Sequence, residues 1–111
     1  MTSSIKYPLK SATIQYSTDT FFNLKRVNFN HIAINGFCNG KAYTETVQFS
    51  YKAISESIFM LWWYEYKTAR TVTSVHDITN KRSYVNIFDR NSSVLYHLEG
   101  RIDEMDVSYE N

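Results

Sequence analysis

Only one cysteine, one proline and three glycines occur in the 111 residues. A single thiol, Cys38, excludes an intrachain disulfide and any metal motif built on paired cysteines. So few prolines and glycines leave no linker or low-complexity tract, and the chain contains no internal repeat. Charge of one sign is missing as well. Twelve Lys and Arg stand against eleven Asp and Glu, a net of +1, without the basic face that nucleic-acid binding calls for. No apolar run approaches the roughly 18 residues of a membrane helix. Residues 1–20 lack the apolar segment of a secretory signal. The expected location is therefore cytoplasmic, with neither nucleic acid nor membrane as partner. Asn91-Ser92-Ser93 has the spacing of a glycosylation sequon, but in that setting it reads as a polar turn.

What the chain does have is aromatic and β-branched residues. Nine Tyr, seven Phe and two Trp make 16% of the sequence, and such side chains fit the pleated surface of a sheet. Residues 1–111 are read as one domain, with a polar N-terminal arm over 1–11 and an acidic tail over 104–111. Strand-like runs fall at 12–17, 20–29, 30–35, 42–52, 57–66, 70–78, 83–89 and 94–102. Turn residues separate them at Ser17-Thr18-Asp19, Asn35-Gly36, Asn39-Gly40, Lys67-Thr68, Asn80-Lys81-Arg82 and Asp89-Arg90-Asn91. Val47, Phe49 and Tyr51 alternate with polar neighbours, and Val85 and Ile87 alternate with Tyr84, Asn86 and Phe88. A period of two puts each set on one face. Ala53-Ile54-Ser55-Glu56 is not strand-like and leaves room for some helix. Short connections favour antiparallel hairpins over parallel crossovers, and closure removes sticky edges. The expected fold is all-β: a single antiparallel barrel of about eight strands. Such a barrel is either filled by side chains or holds one small ligand.

The run Ile58-Phe59-Met60-Leu61-Trp62-Trp63-Tyr64 is apolar on both faces. It predicts a strand covered on both sides, by the N-terminal arm or by a second copy in a homodimer. Polar groups recur inside otherwise apolar strands. Trp63 and Glu65 share a face, Tyr84 and Asn86 share another, His76-Asp77 ends one run, and His97 lies within the last. An apolar cup with a few polar atoms is what a ligand site needs. The candidate ligand contacts are therefore Tyr16, Glu56, Trp63, Glu65, Tyr84, Asn86 and His97. Glu56 and Glu65 are separated by an odd number of residues, so on one unbroken strand they face opposite ways. Glu65 is the better cavity candidate, because Ser55-Glu56-Ser57 reads as a polar turn. His31, His76 and His97 fall on separate strands, and no metal or cofactor is expected. No nucleophile elbow or phosphate loop occurs.

From Glu56 to Ile102 the order of motifs is Trp63-Tyr64-Glu65, then Val72, Val75 and Asp77, then Tyr84-Val85-Asn86-Ile87, then Leu98-Glu99-Gly100-Arg101-Ile102. This order resembles the MoaF-like family of small calycin (lipocalin-like) barrels and, more distantly, the phenolic acid decarboxylases. The resemblance implies a lipocalin-like barrel with a central cavity. The decarboxylase likeness would bring a glutamate to Glu56 and a tyrosine to Tyr16. Its arginine would fall near Lys41-Ala42, where a point charge replaces the carboxylate-clamping fork.

Three readings follow. The first is a small-molecule-binding barrel for a compact organic ligand. The second is a lyase or isomerase of small aromatic or hydroxylated acids, using a barrel glutamate as general acid or base. The third is an interaction module with a filled barrel. A hollow interior separates the first two from the third, and a buried glutamate titrating near neutrality separates the second from the first.

Overall fold

The structure, a computed structural model, describes residues 6–106. It holds eight strands: β1 (Ser11–Ser17), β2 (Thr20–Asn28), β3 (His31–Cys38), β4 (Lys41–Ala53), β5 (Ile58–Glu65), β6 (Arg70–Asp77), β7 (Arg82–Asp89) and β8 (Val94–Asp106). Each pairs antiparallel with the next, and β8 returns to β1, so the sheet closes into a barrel. The closing register runs from Ser11↔Asp106 to Gln15↔Arg101. Among the described residues there is no helix, and therefore none long and apolar enough to cross a membrane.

The expected runs and the observed strands differ at four places. Gly36 is not in a turn. It lies inside β3 between Phe22 and Tyr43, where a Cβ would stand 2.0 Å from the Phe21 carbonyl oxygen. Glycine is needed there for close approach of two backbones. The real turn is Asn39-Gly40, with φ of 53° and 78°, the left-handed pair that a tight hairpin requires. Ala53 closes β4 and residues 54–57 form a bend with no helical turn, since Ile54 and Ser55 donate their N–H groups back to the Ile58 carbonyl. The acidic tail is also strand for part of its length: Glu104, Met105 and Asp106 pair with β1. Residues 107–111 lie outside the described residues.

The fourth difference concerns the arm. Its described part, residues 6–11, does not cover the outer face of β5. Tyr7 and Leu9 are buried inside the barrel, and residues 1–5 lie outside the described residues. The hairpins at 17–20, 38–41, 65–70 and 89–94 mark one end of the barrel; those at 28–31, 53–58 and 77–82 mark the other. Tyr7 plugs this second end. Its ring packs against Phe59 at 5.5 Å, Tyr51 at 6.0 Å and Phe49 at 6.4 Å, and the Arg26 guanidinium lies 5.7 Å from its centroid. Aromatic pairs at such spacings add to plain area burial. With this plug the hydrophobic core fills one half of the barrel, around Phe49, Phe59, Leu61 and Ile102.

The inner row of β5 is Phe59, Leu61, Trp63 and Glu65, all buried. The outer row is Ile58, Met60, Trp62 and Tyr64. Trp62 is 39% exposed; on β7 and β8 the directly paired Phe88 and Leu95 are 39% and 67% exposed. The two-sided apolarity of β5 thus has two origins: one side is core, and the other is an aromatic surface patch.

Candidate functional site

Above the plugged core the barrel is hollow. A cavity of about 470 Å³ opens at the end carrying the 38–41 and 65–70 hairpins. That is within the range of small-molecule pockets. Its apolar wall includes Ile14, Phe22, Leu24, Ile34, Val72 and Val85, and its rim carries Asn39, Lys41, Thr68 and Arg70. The cup is blind because Tyr7 fills the far end.

Trp63 and Glu65, two residues apart on β5, both point inward, as the pleat requires. The Trp63 Nε1–H donates to Glu65 Oε2 at 3.0 Å, and the Thr68 hydroxyl donates to Oε1 at 3.0 Å. Glu65 is only 9% exposed. Burial raises its pKa above the ordinary carboxylate value; the nearby Glu45 adds to the rise, and the two hydrogen bonds and Arg70 offset part of it. Beside it, the Tyr43 hydroxyl donates to Glu45 Oε1 at 2.5 Å. Burial, and then these two carboxylates, push the Tyr43 phenol far up, so it stays protonated. Glu45 in turn accepts the backbone N–H of Tyr66 at 3.0 Å and so ties down the 65–70 hairpin. At the rim the Arg70 guanidinium meets the Asp89 carboxylate at 3.2 Å.

A second polar cluster sits near the closed end. Tyr16 leans over Gly100, where a Cβ would stand 2.6 Å from its ring and 2.7 Å from the Gln15 carbonyl oxygen. The missing side chain lets the Tyr16 hydroxyl reach Ser83 Oγ at 2.8 Å. Ser83 lies 3.4 Å from Ser74 Oγ. Burial, partly offset by the serine hydrogen bonds, pushes the Tyr16 phenol up to about 12. Opposite Ser83 in the β6–β7 register is His76, whose Nδ1 lies 2.7 Å from the Tyr7 hydroxyl. His76 is fully buried, and desolvation lowers its pKa to about 4, so the ring is neutral.

Of the residues singled out in the sequence, Tyr16, Trp63 and Glu65 line the cavity. The other four do not. Glu56 is exposed in the 54–57 bend, at the end away from the mouth. Tyr84 and Asn86 have the parity opposite to Val85 and Ile87, which line the cavity, and so they lie on the outer surface. His97 is exposed there too, with Nδ1 2.8 Å from Asn86 Oδ1 and Nε2 2.9 Å from Glu99. The glutamate carried over from the decarboxylase likeness therefore lies outside the cavity. The three histidines do not converge: His31 bonds Asn28 and Asn30 on the surface. Among the described residues no group of three His, Cys, Asp or Glu side chains could hold a metal ion. Sequence reasoning missed Tyr43, Arg70 and Ser74 and did not carry His76 into the site. The alternation Val72, Ser74, His76 held the signal for two of them, since Val72 marks an inward parity.

A closed eight-stranded antiparallel barrel with one blind, mostly apolar cup is the architecture of ligand-holding β-barrels. Residues 5–103 match the MoaF-like family, and the chain belongs to it. No curated protein sequence matches the chain. A crystal structure of a Burkholderia vietnamiensis protein, provisionally designated a beta-lactamase, superposes with a TM-score of 0.78. It is 14% identical, and the match covers 93% of this chain and 100% of that one. At that identity the likeness speaks for the fold alone.

Proposed function

We propose that this protein binds a compact, largely apolar organic molecule in the open half of its barrel. The observation carrying this reading is the cavity of about 470 Å³, blind at one end and open at the other. A barrel built for interaction alone would be filled by side chains along its whole length. The apolar wall supplies affinity, and Glu65, Tyr43 and Tyr16 supply fixed polar atoms that orient the ligand. A thermal-shift screen of small aromatic and hydroxylated compounds tests it, followed by Glu65→Gln and Tyr16→Phe. Compounds that stabilise the wild type should lose part of their shift in at least one variant. A protein that none of them stabilises, or shifts in both variants equal to those of the wild type, removes the reading.

One observation favours catalysis as a second reading. Glu65 is buried with a raised pKa and is held by two donors, as a general acid or base would be. A carbon-13 titration of the Glu65 carboxyl distinguishes it: a midpoint near neutrality supports catalysis, and one near 4–5 leaves binding alone.

For the outer surface of β5 we propose pairing with a second copy, since its outer row carries Trp62, 39% exposed, beside Tyr64 and Met60, and exposed apolar surface marks contacts. Sedimentation velocity is expected to show a dimer that Trp62→Lys dissociates. A wild-type species at the monomer mass of 13.1 kDa ends that proposal.

A further inference from the structure

Every polar side chain at the closed end of the cup has its partner except one atom. Tyr16 is bonded to Ser83, and Ser83 lies against Ser74. His76 lines the cavity, and its Nδ1 is taken by Tyr7. Its Nε2 is buried with no hydrogen-bond partner, the one such side-chain atom among the described residues. Buried polar atoms are paired in the great majority of proteins, so an unpaired one in a side chain that lines a cavity calls for a partner from outside the chain.

The tautomer follows from the Tyr7 contact. If Nδ1 carried the proton and donated it, the phenolic hydrogen of Tyr7 would point into the core with no acceptor. If instead Tyr7 donates to Nδ1, only Nε2 is left unmet, and Nε2 then carries the hydrogen. The second arrangement leaves fewer unsatisfied groups, and the raised pKa of Tyr7, caused by burial, keeps that phenol a donor. The imidazole in the floor of the cup therefore carries its hydrogen on Nε2, an atom that is itself shut off from solvent.

We infer that the ligand enters with an uncharged oxygen leading, a ketone, aldehyde, ester or amide carbonyl, which accepts a hydrogen bond from His76 Nε2. An apolar body follows, against Trp63 and the aliphatic wall, and the trailing end sits at the rim beside Lys41 and Arg70. A leading carboxylate is disfavoured, because a desolvated charge at the floor would meet no cation among the residues that line the cavity: Lys41 and Arg70 are both at the opposite end, and Arg26 lies against the Tyr7 ring outside that lining. Tyr7 acts here as a positioning residue, fixing which ring nitrogen faces the ligand with its hydrogen. This inference rests on the binding reading above and adds the chemical class and the orientation of what is bound.

The test uses two probes of the same shape, 2-acetylnaphthalene and 2-ethylnaphthalene, which differ in the carbonyl oxygen. Both are titrated by tryptophan quenching into the wild type, His76→Leu and His76→Gln. The carbonyl preference is the ratio of the two affinities. It is expected to fall about tenfold in His76→Leu, equivalent to about 1.4 kcal/mol, and to be largely kept in His76→Gln, which retains an N–H donor. In the wild type with nitrogen-15 histidine, the Nε2–H proton of His76 should move downfield with the ketone and not with the hydrocarbon. This readout needs no variant, so it decides the matter even if His76→Leu does not fold. An unchanged ratio, binding of the hydrocarbon alone, or an Nε2–H signal indifferent to the ketone overturns the inference while the cavity remains a binding site. If neither compound binds, the binding reading and the inference fall together.

Discussion

Replacing Trp63 by alanine is expected to cost about 3–5 kcal/mol, the usual loss when a buried aromatic is truncated to a methyl group. Trp63 is 8% exposed and forms part of the inner row of β5, opposite Phe49 on β4 and Val72 on β6. It does two jobs. Its ring fills the join between the packed half of the barrel and the open half. Its Nε1–H also donates to Glu65, so truncation strips a buried carboxyl of one donor. Leaving such a group short of a partner costs about 1–3 kcal/mol. Trp63→Phe separates the two jobs, because it keeps most of the ring and loses the donor; it should cost about that smaller amount. Urea denaturation followed by circular dichroism measures both. A Trp63→Ala midpoint equal to that of the wild type would mean that the ring carries no core packing.

The strands were legible because most of them alternate. A period-two pattern needs no partner to be recognised, and every strand is bounded within about two residues except β3 and β8, which run on to Cys38 and Asp106. Which face points inward was less legible wherever both faces carry apolar groups. On β7, Tyr84 and Phe88 are as large as Val85 and Ile87, so alternation alone names two sets and cannot rank them. Register decides. Trp62, Thr73, Asn86 and His97 form one continuous cross-strand row, and directly paired residues share a face. Once Trp62 is outside, Asn86 and His97 are outside as well. The inward turn of Tyr7 had no periodic signal at all, because it depends on a hole at the end of the barrel that eight separate strands together create. Gly36 was misread for a related reason: the carbonyl that forbids its Cβ belongs to another strand. The αL residues Ala69, Lys81 and Ser93, with φ of 56°, 56° and 59°, end three loops with no glycine to announce them. Asp77 and Asp89 hold two of those loops by accepting backbone N–H groups from Asn80, Asn91 and Ser92.

Acid should weaken the fold through His76 before it touches the surface carboxylates. The folded-state pKa of His76 is lowered to about 4 by desolvation, against 6.5 for the free side chain. A group depressed in this way contributes stability that is fully present above pH 6.5 and is lost as pH falls toward 4, because the unfolded chain takes up the proton first. The full loss is roughly 3 kcal/mol, and most of it should be spent by about pH 4.5. Glu65 works in the opposite direction. Its folded-state pKa is raised, so its burial costs stability at neutral pH, and that cost is relieved as pH falls toward the ordinary carboxylate value. The wild-type decline between pH 7 and 4.5 is therefore the His76 loss less the Glu65 relief. Asp77, Asp89 and Asp103 have lowered pKa values, and their losses fall chiefly below this window. Two substitutions separate the two buried groups. Glu65→Gln should be more stable than the wild type at pH 7 and should fall more steeply toward pH 4.5, since the relief is gone. His76→Gln should be flat or should rise slightly as pH falls, since only the Glu65 relief remains. Urea midpoints collected at half-unit steps of pH give both slopes. If His76→Gln declines as steeply as the wild type, the acid-sensitive group is not this imidazole, and the neutral N–H at the floor of the cup loses its support.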